Sequence, residues 1–188
     1  MEHYRRDDLM FDVRDTGSPE GPVVVLLHGF PQRNDSWNAV IDRLTAQGYR
    51  CLAPNQRGYS PGARPSRRRD YRMSELVADL GALIDASGAR RVHLVGHDWG
   101  ATVAWAAAAE MPERPATVSP ISVPHPAAFI KSLTTQSSGP GVLVHIPLPV
   151  AADTGMAAPA PQRRRPLRIP AAGRADTGRG RARCTGHE

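Results

Sequence analysis

The stretch Val92-His93-Leu94-Val95-Gly96-His97-Asp98-Trp99-Gly100-Ala101 decides how the chain is read. Val92 to Val95 has the β-branched, aliphatic character of a strand, and Trp99 to Glu110 is an Ala-rich run that reads as a helix. Between them, Gly96 and Gly100 flank an aspartate. A Gly-x-nucleophile-x-Gly sequence in a strand-to-helix setting is a nucleophile elbow, a sharp turn that lifts its central side chain to the top of a sheet. The helix N-terminus behind it favours an anion. A carboxylate is a poor group for attacking an amide or ester, but it can displace at a saturated carbon. The product is a covalent ester that water must then cleave.

Gly-x-Asp-x-Gly alone is usually a turn, so its surroundings carry the reading. Upstream, Val23-Val24-Val25-Leu26-Leu27 is a continuous apolar run of the kind buried on both faces of a sheet. Leu9 to Val13 reads as an earlier strand ended by the turn-rich 15–22 segment. A helix near Asp35 carries Trp37, Val40, Ile41 and Leu44 at helical spacing, with Gly48 as its stop. Tyr49 to Ala53 reads as a short strand, followed by a long Arg-, Gly- and Pro-rich loop to about Asp70. Ser74 then caps a helix whose stripe is Leu76, Val77, Leu80, Leu83 and Ile84, up to Gly88. Strands alternating with helices in this way predict an α/β fold, a mostly parallel sheet with flanking helices.

Cleaving an ester on Asp98 creates an oxyanion, so hydrogen-bond donors are needed close by. His28-Gly29-Phe30-Pro31 follows the buried strand directly. The backbone N–H groups of Phe30 and Trp99 are the expected pair; Pro31 has no N–H and stiffens the loop. The Trp99 indole is a candidate donor to a leaving group. His28 and His97 read as structural supports of the loop and the turn, Trp37 and Trp105 as core, and Arg67-Arg68-Arg69 as a solvated loop.

Charge and composition narrow the function classes. Of the net charge of +6 over 188 residues, residues 139–188 hold +5, eight Arg against three acids. The first 138 residues are near neutral, with 16 basic against 15 acidic side chains, which argues against a nucleic-acid-binding body. Cys51 and Cys184 are too few and too far apart for a disulfide framework or a zinc site. The charged N-terminus is no signal peptide, and no apolar run reaches the ~18 residues a membrane span needs. A cytoplasmic location is the expectation. Seven Pro and seven Gly among the last 50 residues, without periodicity, set 138–188 apart as a Pro/Gly/Ala/Arg-rich tail without a stable fold. The expected domain is 1–137.

His28-Gly29-Phe30-Pro31, Asn55-Gln56-Arg57-Gly58-Tyr59-Ser60 and Gly96-His97-Asp98-Trp99-Gly100-Ala101 together resemble the α/β-hydrolase superfamily, in its epoxide hydrolase and haloalkane dehalogenase branch. His97, where dehalogenases commonly carry Gln, favours the epoxide side. The resemblance covers about residues 8–136 and implies an Asp98 nucleophile, an epoxide or related apolar electrophile as substrate, and neither metal nor organic cofactor. It also implies a helical cap with two tyrosines, a late acid and a late histidine base. The last tyrosine here is Tyr71, no Asp or Glu occurs from Arg114 to Ala152, and the histidines beyond His125 are His145 and His187. Pro115 and Pro120 bracket the expected sixth strand. The expectation is therefore a partial α/β-hydrolase fold without cap and C-terminal catalytic segments, from a truncated or frameshifted gene. It would have impaired activity and an exposed sheet edge that favours self-association. A dehalogenase-like hydrolase and an inactive remnant are the alternatives.

Overall fold

The computed structural model describes residues 1–128, Lys131, Ile146 and Pro147. These all belong to one compact unit, Met1–Ala152; Asp153–Glu188 is grouped separately. The expected boundary between 137 and 138 lies outside the described residues, as does most of the expected tail.

The strands are β1 (His3–Arg6), β2 (Leu9–Gly17), β3 (Val23–Leu27), β4 (Arg50–Pro54), β5 (Val92–His97), β6 (Pro115–Ile121) and the two-residue β7 (Ile146–Pro147). They lie in the order β1-β2-β4-β3-β5-β6-β7. The centre, β4-β3-β5-β6, is parallel, and β1, β2 and β7 add antiparallel partners on its two sides. The helices are α1 (Asn38–Thr45), α2 (Met73–Ser87) and α3 (Trp99–Glu110). None of the described helices is long and apolar enough to cross a membrane.

β3 shows why a continuous apolar run belongs at the centre. Val23, Val25 and Leu27 join a core with α2 and α3, while Val24 and Leu26 face Trp37, Ile41, Cys51 and Ala53 on the opposite side. All five are buried. The α2 stripe buries Val77, Leu80, Leu83 and Ile84 as its spacing predicts, and Gly88 ends the helix in the left-handed region at φ +76°. Trp37 and Trp105 are core, the Trp105 indole donating to the Val123 carbonyl at 3.2 Å.

Several expectations need correction. The early strand runs on to Gly17, because residues 13–17 pair with β4 rather than turning away, and β1 precedes it as a hairpin partner. Ser74 lies within α2; Arg72 is the N-cap and makes no side-chain cap bond. Val40 is 37% exposed and points away from the core that Ile41 fills. Arg68–Tyr71 forms a short 3-10 turn within the expected loop, with Arg67, Arg68 and Arg69 exposed. The sixth strand forms in spite of its prolines: Val92 donates to the Arg114 carbonyl at 3.0 Å and Asp98 to the Ile121 carbonyl at 3.2 Å. Those anchors lie just outside the two prolines, and a Pro at the first strand position gives up no interior ladder bond.

The N-terminal hairpin, the loop after β4 and α2 meet at a buried ion cluster that the sequence did not announce. Arg57 grips Asp79 through two bonds of 2.7 and 2.6 Å, and Arg6 adds a third to the same carboxylate at 3.0 Å. Arg6 also reaches Glu75 at 2.8 Å. Arg57 and Asp79 are both buried, so removing one leaves the other uncompensated in a poor solvent for charge. Asp79→Ala is expected to lower unfolding free energy by about 3–5 kcal/mol, measured by urea denaturation.

Candidate active site

The elbow holds a non-glycine residue in unusual backbone geometry. β5 ends at His97, α3 begins at Trp99, and Asp98 between them sits at φ +53°, ψ −118°. A non-glycine residue there is strained by about 1–3 kcal/mol and persists only where its surroundings over-determine it. Here they do. The Asp98 carbonyl accepts from Ala101 and Thr102 N–H at 3.0 and 3.2 Å, starting α3, while its own N–H is held by Ile121.

The glycines are needed for close approach. A Cβ on Gly100 would stand 2.2 Å from the Leu27 carbonyl oxygen, and one on Gly96 would stand 2.3 Å from that of Gly100. The start of α3 thus presses on the end of β3, which brings the loop after β3 to Asp98. A Cβ on Gly29 would lie 2.5 Å from the Asp98 Cβ. Only a bare backbone fits.

The loop delivers a donor. Phe30 N–H donates to Asp98 Oδ1 at 2.9 Å, after which Pro31 follows through a cis peptide bond. The Phe30 bond first, then the Trp99 N–H, hold the Asp98 carboxyl below its usual range; partial burial opposes them, and His97 adds a smaller pull downward. The expected donors and the aspartate are therefore brought together.

His28 is fully buried and commits both ring nitrogens. Nδ1 lies 3.0 Å from the Gly29 carbonyl, so it carries the proton, and Nε2 accepts from Gln56 N–H at 3.1 Å. Burial pushes its pKa below the ordinary value. It serves as the expected structural residue of the loop. His97 Nδ1 meets Gln32 Oε1 at 3.0 Å.

Beside Asp98 opens a recess of about 210 Å³ walled by Tyr59, Tyr71, Leu76 and Trp99, with His28 and Arg57 also on its lining. Trp99 thus lies on its lining. Tyr59 was missed as a site residue, although it lies in the quoted Asn55–Ser60 motif. Its ring meets His28 edge-on at 4.5 Å. Burial and the negative charge of Asp98 raise its pKa, so it remains a protonated donor. Only the contact of two loops distant in sequence reveals it.

Residues 22–141 match the alpha/beta hydrolase fold family, and the chain belongs to it. Epoxide hydrolase A of Mycobacterium tuberculosis is 46% identical over 112 residues, 60% of this chain and 35% of that protein. Epoxide hydrolase B of the same species is 48% identical over 105 residues, 56% and 30% of the two chains. Among solved structures, epoxide hydrolase A from Mycobacterium thermoresistibile aligns with a TM-score of 0.63 at 36% identity, over 70% of this chain and 43% of that one. An epoxide hydrolase from Vigna radiata aligns with a TM-score of 0.60 at 40% identity, over 65% and 39%. The chain matches about a third of the length of these curated relatives.

Because His28 is neutral when folded, the unfolded chain binds a proton that the native state refuses. Its stabilisation is complete above the ordinary pKa of 6.5 and is lost as pH falls through that value toward the lowered folded one. The urea midpoint should drop between pH 7.5 and 5.5, and His28→Gln should show a smaller drop.

Proposed function

We propose that the chain carries the nucleophile half of an epoxide-hydrolase-like site, with Asp98 as nucleophile. The observation that carries this reading is the 2.9 Å bond from Phe30 N–H to an Asp98 carboxylate raised on a strained elbow. In the proposed step, one carboxylate oxygen attacks a ring carbon of an epoxide. The ring C–O bond breaks, its electron pair stays on the former ring oxygen, and that oxygen takes a proton from solvent water. The product is an alkyl ester of Asp98. In a second step water adds to the carboxyl carbon, and the oxyanion formed there sits against the Phe30 and Trp99 N–H groups. The adding water gives one proton back to solvent, and the departing alkoxide takes the other to leave as the diol, which restores the carboxylate with one oxygen from water.

The recess supports an apolar substrate, since Tyr59, Tyr71, Leu76 and Trp99 present rings and an aliphatic side chain beside the nucleophile. The names of the reported relatives favour an epoxide over a haloalkane. The second step needs a base, and general base catalysis typically supplies about 10²–10⁴-fold. His28 has both nitrogens engaged with backbone groups, so it does not fill that role. Without a base the ester forms faster than it is cleaved, and the proposed activity is accordingly impaired: alkylation that outruns hydrolysis.

Incubation with a reactive epoxide such as styrene oxide, followed by peptide mass spectrometry, should show a persistent single adduct on Asp98 and none on Asp98→Ala. Adducts on surface residues alone would contradict the reading. Because the carboxyl is held below its ordinary 3.8, the alkylation rate should be flat from pH 7 to pH 5. A rate that halves near pH 5 or above would show an Asp98 that is not poised as an anion.

The same reading includes self-association. Of the outer edge of β6, Thr117 and Val118 are paired with Pro147 and Ile146 among the described residues. An open strand edge pairs readily with another chain. Sedimentation velocity should show a concentration-dependent increase in mass, and a monomer across the accessible range would refute it.

A further inference from the structure

The loop that brings Phe30 to Asp98 is weakly held by its own residues. The Phe30 ring is 68% exposed, and Gln32 N–H closes a tight turn onto the Gly29 carbonyl at 3.0 Å. Beyond that turn the loop faces water, where a lone exposed hydrogen bond competes with solvent and contributes little net. A second tie crosses the gap. His97 Nδ1 and Gln32 Oε1 are 3.0 Å apart, and because the amide oxygen only accepts, the imidazole donates.

The two ties run side by side. One joins Phe30 to Asp98; the other joins the residue two positions further along the loop to the residue just before Asp98. β5 alternates, with His93, Val95 and His97 on its half-buried face. Strand periodicity therefore sets the face on which the His97 side chain lies, and its hydrogen bond to Gln32 orients the ring. The far end of the loop is tied separately, Asn34 N–H donating to Asn55 Oδ1 at 3.0 Å. Between that anchor and His28, the Phe30 and Gln32 bonds are the two among the described residues that cross to the end of β5 and the elbow.

We propose that His97 and Gln32 are positioning residues, whose mutual hydrogen bond holds the Phe30 N–H on the Asp98 carboxylate. The catalytic meaning of this tie rests on Asp98 being the nucleophile, but its geometry does not. Sequence reading placed His97 as support for its own turn. The structure extends that support to the opposite loop, and Gln32 is the residue that receives it.

The test is amide hydrogen exchange at Phe30 in the full ¹⁵N-labelled chain, read by NMR. Gln32 is exposed, so Gln32→Leu should fold; His97→Leu removes the other partner. Both should speed exchange at Phe30 by about tenfold, the scale of losing one modest restraint, while the Val25 and Leu94 amides in the central strands keep their rates. His97→Gln, whose carboxamide can still donate to Gln32 Oε1, should stay within about twofold of the parent. Unchanged Phe30 exchange in the two leucine variants would overturn the proposal. So would an acceleration shared equally by Val25 and Leu94, since that reports general loosening. Treating the same samples with styrene oxide separates the two claims: if the parent chain forms no Asp98 adduct, the nucleophile reading fails while the exchange data still decide the tie.

Discussion

The structure turns on the contact between two pieces of backbone, the end of β3 and the start of α3. A single Cβ on Gly100 would meet the Leu27 carbonyl at 2.2 Å. Because that position is glycine, the helix can seat directly on the strand. The geometry around Asp98 builds on that seating: Asp98 sits at positive φ, Gly29 lies close under its Cβ, and Phe30 N–H stands at bonding distance of Oδ1. The strain at Asp98 is offset by buried β-branched and aliphatic side chains on both faces of β3 and by the small Ala side chains that let α3 pack closely.

This arrangement has an electrostatic consequence. Backbone N–H groups fixed by a strand end and a helix start cannot rotate away as water does, so they favour a negative charge at one point in space. At rest that charge is the Asp98 carboxylate itself. On the proposed path the same donors would receive the oxyanion at the same carboxyl carbon. One set of donors thus suits both an anionic nucleophile and the intermediate of its release. The neighbouring recess is walled by rings, which places a place for apolar groups next to a fixed anion.

Much of this was legible in the sequence because it is written locally. The β3 run, the α2 stripe with its Gly88 stop, and the Gly-x-Asp-x-Gly elbow each depend on residues a few positions apart. So did the pairing of Phe30 with Trp99, since both flank recognisable strand ends. Less legible were the features made by distant segments. Tyr59 becomes a neighbour of Asp98 only when the loop after β4 folds over His28. The Arg57–Asp79–Arg6 cluster joins three segments, and each of its residues reads alone as a surface charge. Local rules also misled where pairing overrides propensity: β2 continues through a turn-rich segment because β4 offers it a partner, and β6 accepts two prolines because its anchoring bonds lie outside them.

The central claim is that the elbow and its two backbone donors poise Asp98 as an anion. Carbon-13 NMR titration of the Asp98 carboxyl in the full chain tests it most directly. The account predicts a midpoint below the ordinary 3.8, lower than that of exposed Asp residues in the same spectrum. A midpoint at or above 3.8 would mean that the Phe30 and Trp99 N–H groups do not hold the carboxylate, and the account would fail.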